Sequence, residues 1–213
     1  MKLPERTIER LSTYRRTLLS CLESGKTYIY SHELAKLHSI TAVQVRRDLM
    51  LIGFSSQTKK GYDVKELIDI IGRILDSMVA LNVAVIGMGN MGRAITTYFN
   101  GKRSKLRIAA TFDVDPLKID RVISGVNCYH IKDFKTIIQK ENISIAIVTS
   151  PPDTVKQLAE VIVGAGIKGV LNFTTIPLNI NSNVYLEEFD MITSLEKVAY
   201  FVKEIDGGMK MDN

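Results

Sequence analysis

Cysteine is scarce in this sequence: Cys21 and Cys128 are the only two among 213 residues. Two thiols exclude a disulfide scaffold and a Cys-rich metal or iron–sulfur site, and they suit a reducing, cytoplasmic setting. Histidine is nearly as rare, with only His32, His38 and His130. No HExxH array and no convergent Cys/His cluster is present, so no metal site is expected. No run of 18 uncharged apolar residues occurs, and no signal-like apolar stretch follows the charged start. Neither a membrane span nor a secretory leader is therefore expected. The length leaves room for two compact units, but not for a large catalytic domain beside a cofactor domain.

Charge is abundant and unevenly placed. Residues 1–60 hold eleven Lys/Arg against five Asp/Glu, a net of +6, whereas the whole chain nets +5. The remainder therefore carries about −1, and the basic first quarter reads as a polyanion-facing module or as a solvated basic surface.

Within that quarter, Glu5–Leu22 predicts a helix with Ile8, Leu11, Leu18, Leu19 and Leu22 as its apolar stripe. A short second helix starts near Ser31 as N-cap and buries Leu34 and Ala35. After the turn His38-Ser39-Ile40, Thr41 and Gln44 have capping-box spacing, opening a third helix to Ile52 with Val43, Leu49 and Ile52 inward. Two helices across a tight turn make a helix-turn-helix candidate. Gln44, Arg46 and Arg47 on its second helix are suited to base edges and phosphates in a major groove. Gly53–Tyr62 then reads as a short hairpin, or wing, whose Lys59 and Lys60 would contact phosphate without base selectivity. The competing reading is a small protein-binding helical module. Asp63–Ala80 continues as a connecting helix through Val64, Leu67, Ile71, Leu75 and Val79.

Next comes a β-branched run, Asn82–Ile86, and then Gly87-Met88-Gly89-Asn90-Met91-Gly92. Ala94, Ile95, Tyr98 and Phe99 follow at helical spacing. Strand, glycine loop and helix in that order predict a dinucleotide site. Gly87 permits the turn, Gly89 lets the chain approach a pyrophosphate, and Gly92 lets helix and strand pack. The phosphates would meet the free amides of the helix N-terminus. A second strand from Leu106 ends at Asp113, whose carboxylate suits the adenine ribose hydroxyls and favours NAD(H) over NADP(H). Asp115 is the alternative acid, though with Pro116 it better opens the next turn. Strands at Ile143–Val148 and Gly169–Phe173, with helices near Phe134 and over Pro152–Ala165, extend a mostly parallel, doubly wound α/β sheet. Thr149, Ser150, Pro151 and Asn172 fall at strand carboxyl ends, the ligand side of such folds. Thr193–Glu196 is a capping box for a final helix carrying Leu195, Val198, Ala199, Val202 and Ile205, which covers its own sheet or enters a second subunit.

The assembled motifs resemble the Rex family of redox-sensing transcriptional repressors over residues 3–205. They are RLSTYRR at 10–16, VRRDL at 45–49, GMGNMGRA at 87–94 with Tyr98, ATFDVDP at 110–116, GIKGVLNF at 166–173 and FDMITSLEKVAYF at 189–201. The resemblance implies an N-terminal winged helix-turn-helix domain (1–80), a Rossmann-like domain (81–192) and a C-terminal helix exchanged in a homodimer (193–213). It also implies binding of operator DNA, relieved by NADH and less effectively by NAD⁺. Gly87 to Gly92, Tyr98, Asp113, Thr149, Ser150, Pro151 and Asn172 would then meet the cofactor. Arg16, Tyr98 and Asp190 look like the family's redox switch, with Asp190 exchanging Arg16 for Tyr98 across the dimer. Met50 stands where the family has Ser, and Thr174-Thr175 where it has Ala-Pro. Two other classes remain open: a small NAD-dependent oxidoreductase, for which no acid–base constellation is evident, and a nucleotide- or CoA-binding regulatory module without DNA binding.

Overall fold

In the computed structural model the chain is described over residues 3–55, 60–99, 105–180 and 183–208, without the side chains of Lys156 and of 206–208. It divides into two compact units, Met1–Met78 and Val79–Asn213, a boundary two residues before the expected one.

The first unit contains α1 (Glu5–Glu23), β1 (Tyr28–Ile29), α2 (Ser31–Leu37), α3 (Ala42–Leu51), β2 (Tyr62–Asp63) and α4 (Val64–Leu75). Helix α1 buries Thr7, Leu11, Tyr14 and Leu18, a 4-3-4 spacing that follows one helical face. The expected stripe was rotated: Ile8, Leu19 and Leu22 are exposed, and Tyr14 is the buried centre. Helix α2 begins with Ser31 itself, so Ser31 is not its cap. Tyr30 precedes it, and the Tyr30 amide donates to Glu33 Oε2 at 2.8 Å. Ser39, at φ 53°, makes the left-handed turn into α3. Thr41 caps that helix by accepting the Gln44 amide at 3.1 Å. Inward positions are Val45, Asp48 and Leu49, while Val43 is 64% exposed and shares the outer face with Arg46, Arg47 and Met50. The 3.6-residue period places 42, 45, 49 and 52 on one side and 43, 46, 47 and 50 on the other.

Strand β2 pairs antiparallel with β1, as Tyr28↔Asp63 and Ile29↔Tyr62. Tyr62, the last residue of the expected Gly53–Tyr62 hairpin, joins the strand ahead of α2, and residues 56–59 of that hairpin lie outside the described residues. Gly61 has φ 93°, and a Cβ there would lie 2.8 Å from the Ile29 carbonyl oxygen. Helix α4 stops at Leu75, short of the expected Ala80; Met78 and Val79 are exposed. The next backbone unit, at Asp76, is extended, and its carboxylate accepts Arg15 Nη1 at 2.8 Å.

The second unit is built on seven strands: β3 (Leu81–Ile86), β4 (Leu106–Asp113), β5 (Arg121–Ile123), β6 (Val126–His130), β7 (Ile143–Val148), β8 (Gly169–Asn172) and β9 (Tyr185–Glu188). Their order is β5-β6-β4-β3-β7-β8-β9, with only β5–β6 antiparallel. Helices α5 (Asn90–Phe99), α6 (Phe134–Lys140) and α7 (Val155–Gly164) connect them. Alternating residues supply two cores. Ala84, Ile86, Phe112 and Val148 pack with Phe134, Leu158 and Ile162, whereas Val83, Val85 and Ile147 pack with Met88, Ile95 and Cys128. The chain leaves β3 toward β4 on one side and β7 on the other. That reversal opens a crevice beyond the carboxyl ends of the strands.

The last helix, α8, covers Met191–Gly208 and starts two residues before the expected box. Asp190 caps it instead of Thr193: its Oδ1 accepts the Ile192 amide at 2.8 Å and its Oδ2 the Thr193 hydroxyl at 2.6 Å. Every described α8 side chain is exposed.

Candidate functional site

At the switch point the glycine loop is held from both sides. The Gly87 amide donates to the Phe112 carbonyl at 2.8 Å, and the Met88 amide to Asp113 Oδ2 at 2.7 Å. From β7, the Thr149 amide and hydroxyl reach the Ile86 carbonyl, and the same hydroxyl lies 2.7 Å from the Gly87 carbonyl. Ser150 Oγ adds a bond to Ile86 at 3.2 Å. Gly87 has φ 96°, and its absent Cβ would sit 2.8 Å from the Ser150 nitrogen. A Cβ on Gly92 would run into the Gly87 carbonyl oxygen. Gly89 differs: nothing lies within 4 Å of its Cβ position. Open space there, over the first turn of α5, where helix amides have no intrahelical partners, fits a diphosphate.

This loop forms one end of a cavity of about 660 Å³. Gly87, Gly89, Asn90 and Met91 line it, together with Asp113, Val114, Asp115 and Lys118 on the β4 side and Thr149, Ser150 and Pro151 on the β7 side. Phe112, Leu158 and Val161 supply apolar walls. A cleft of this size, mostly apolar with few polar groups, suits a nucleotide. The expected residues Met88, Gly92, Tyr98 and Asn172 are not in this lining. Met88 is fully buried beneath the loop, and Gly92 is packed against it. Tyr98 is 61% exposed on α5, edge-on to Phe99. Asn172 is fully buried with its amide in use: Nδ2 donates to the Ile176 carbonyl and Glu188 Oε2, and Oδ1 accepts from Thr174.

Asp113 is more heavily engaged than its expected ribose role requires. Its Oδ1 accepts the Val114 and Asp115 amides at 2.8 and 2.9 Å. Its Oδ2 accepts Met88 and also Lys118 Nζ at 3.0 Å. Four donors match a carboxylate's acceptor capacity. Burial pushes this carboxyl up, but the donors outweigh it and hold it below 3.8. Lys118, which sequence reasoning missed, bridges Asp113 and Asp115, and its ammonium is stabilised despite burial. The signal was present, since all three lie within six residues of sequence, from Asp113 to Lys118. Asp115 opens that turn as expected, accepting the Leu117 amide at 2.9 Å.

The basic face lies on the first unit. Arg46 and Arg47 are exposed on α3, with Arg46 Nη1 3.2 Å from Ser31 Oγ. Gln44 is turned inward: its Nε2 donates to Asp48 Oδ1 at 2.9 Å rather than reaching back to Thr41 or out to a groove. Lys60 is exposed, whereas Lys59 lies outside the described residues. Arg16 is exposed on α1. Among the described residues, no group of three or more His, Cys, Asp or Glu is placed to hold a metal ion. None of the described helices is long and apolar enough to cross a membrane.

A glycine-loop nucleotide cleft in one unit and a basic helix-turn-helix in the other define a ligand-responsive DNA-binding class. Residues 2–49 match the family described as "Putative DNA-binding protein N-terminus", and residues 78–176 match the CoA binding domain family. The redox-sensing transcriptional repressor Rex of Lactobacillus acidophilus is 36% identical over 202 residues, covering 95% of this chain and 96% of that protein. Its counterpart in Leuconostoc citreum is 35% identical, covering 94% and 93%. Among solved structures, the Rex-family repressor RSP in complex with β-NAD⁺ and operator DNA superposes with a TM-score of 0.89 at 31% identity, covering 99% of this chain and 97% of that one. RSP with β-NADH gives 0.87 at 31% identity over the whole of both chains. The chain belongs to the Rex family of redox-sensing transcriptional repressors. Membership makes it a regulatory protein rather than an oxidoreductase.

Proposed function

We propose that this chain represses transcription in the cytoplasm by gripping operator DNA as a homodimer and letting go when NADH fills the glycine-loop cleft. The observation that carries the reading is the vacant Cβ position of Gly89, inside a nucleotide-sized cavity, in a chain that matches RSP with NAD⁺ and operator DNA along nearly its whole length. The bound dinucleotide would supply no chemistry beyond its own occupancy. Gly87, Gly89, Asn90 and Met91 would cradle its phosphates, with Asp113 and Lys118 at the ribose. Arg46, Arg47, Lys59 and Lys60 would meet the DNA, while Gln44 shapes α3 from within. Homodimerisation is supported by α8, whose exposed Leu195, Val198, Phe201, Val202 and Ile205 form an apolar surface expected at an interface. Release is a population shift: NADH must bind the released conformation better than the operator-bound one. Arg16, Tyr98 and Asp190 would carry that exchange.

The test is selection of genomic DNA fragments by the purified protein across NADH/NAD⁺ ratios, at two salt concentrations. Operator-selective binding relieved by NADH supports the reading. Nucleotide binding without selective DNA binding would instead favour the CoA-type regulatory module.

A further inference from the structure

Strands β8 and β9 are parallel neighbours joined by twelve residues, 173–184, with no described helix between them. Part of this crossover is tied to β9 by an exposed carboxylate. Glu188 Oε2 accepts Asn172 Nδ2 at 2.7 Å, and its Oε1 accepts the Leu178 amide at 3.0 Å. Leu178 is buried in the larger core, and Asn172 is fully buried. The Asn172 carbonyl in turn accepts the Phe189 amide at 2.8 Å, and the Phe189 ring packs at a tilt against Phe173 with ring centres 5.1 Å apart. The very next residue, Asp190, caps α8.

Helix α8 has no buried side chain among its described residues, so packing on its own unit does not set its direction. Its root does. We infer that Glu188, clamped between Asn172 and Leu178, is a positioning residue that fixes how α8 and Asp190 leave the nucleotide-binding sheet, and that ligand-driven release of DNA depends on it. This inference rests on the proposed repressor function. Glu188 does not line the cavity, so its part is to transmit occupancy rather than to bind the ligand. A rigid root makes a shift of the sheet a shift of α8; a loose one lets the helix stay behind.

The experiment uses the full chain and compares Glu188→Gln with the control Glu187→Gln, whose carboxylate accepts the neighbouring Tyr185 hydroxyl. Gln keeps the shape but turns an NH₂ group toward one of two donors. Three quantities are read: NADH affinity, the ratio of operator affinities without and with saturating NADH, and hydrogen exchange at the Leu178 amide. In Glu188→Gln the ratio should fall by about fivefold while NADH affinity stays within about twofold. Leu178 exchange should rise, and Glu187→Gln should match the parent in all three. An unchanged ratio, an equal loss of NADH affinity, or the same fall in Glu187→Gln overturns the inference. If the parent shows no NADH-dependent ratio, the repressor reading fails. Leu178 exchange then decides the clamp separately, and unaltered exchange removes it.

Discussion

Arg10 grips Asp48 across 38 residues of sequence, with Nε at 2.6 Å from Oδ2 and Nη2 at 2.7 Å from Oδ1. Tyr14 donates its hydroxyl to the same carboxylate at 2.9 Å and Gln44 its amide at 2.9 Å. Asp48 has no exposed side-chain surface, whereas Arg10 keeps 24%. The group therefore locks α3, the helix bearing Arg46 and Arg47, onto α1. Replacing Asp48 with Ala leaves a guanidinium, a phenol and an amide without their acceptor, a loss of about 3 kcal/mol. Urea unfolding followed by circular dichroism measures it; a change below about 1 kcal/mol would show that the hub carries little.

Acid should loosen both units. Burial raises the Asp48 carboxyl, but the bonds from Arg10, Tyr14 and Gln44 prevail and leave it below the ordinary 3.8, as Asp113 is by its own donors. A carboxyl lowered by folding contributes stability above the unfolded value, and that contribution is lost as pH falls through the folded value. His38 is lowered from 6.5 by burial and by nearby Arg16, and its Nε2 lies 3.0 Å from Thr17 Oγ1. Its neutral form is favoured in the fold, so its share is complete above pH 6.5 and wanes below it. Stability should thus decline in two stages, beginning under pH 6.5 and again below about pH 4. His38→Gln should remove the first stage alone, as denaturation midpoints across pH would reveal.

Two glycines of one loop should separate binding from folding. Gly89→Ala meets no protein atom, so stability should stay within about 1 kcal/mol. NADH affinity should nevertheless fall by about tenfold or more, since the methyl fills the diphosphate cradle. Gly92→Ala drives its Cβ into Gly87 and toward Thr149 Oγ1, costing about 2 kcal/mol of stability. Parallel calorimetry and thermal melts distinguish these outcomes; normal NADH binding by Gly89→Ala would place the phosphates elsewhere.

Arg47→Ala and Lys60→Ala each remove an exposed cation from the proposed DNA face. Each should lower the slope of log affinity against log salt by about 0.9, the loss of one phosphate contact. Fluorescence anisotropy on a selected operator reads the slope. Gln44→Ala, whose amide faces Asp48, should act through stability and leave that slope unchanged.

Asp190→Ala should diminish the NADH response of operator binding while the glycine-loop unit stays folded. The same change removes the α8 cap, in which the Thr193 hydroxyl first, and with it the Ile192 amide, hold this carboxyl below its ordinary value against the opposing effect of burial. An Asp190→Asn variant keeps a capping oxygen without the charge. Retained release in both variants would remove Asp190 from the switch.

Patterns that depend on near neighbours were readable in the sequence. Thr41 as a cap, the Gly87–Gly92 loop between strand and helix, and the β-branched runs of β3 and β7 are all fixed by spacing within one element. So were the alternation of strand and helix that builds the parallel sheet, and the excess of positive charge in the first unit. Tertiary structure decided where the polar side chains went. Whether Gln44 faces a groove or Asp48, whether Asp113 has a free oxygen, and whether Asn172 meets a ligand or Glu188 depend on partners brought together by the fold. The same holds for the face of α1, where Tyr14 displaced the more apolar Leu19 and Leu22 because its hydroxyl found Asp48. A buried hydrogen-bonding group must be satisfied by whatever the folded chain presents to it, and one-dimensional spacing does not carry that choice.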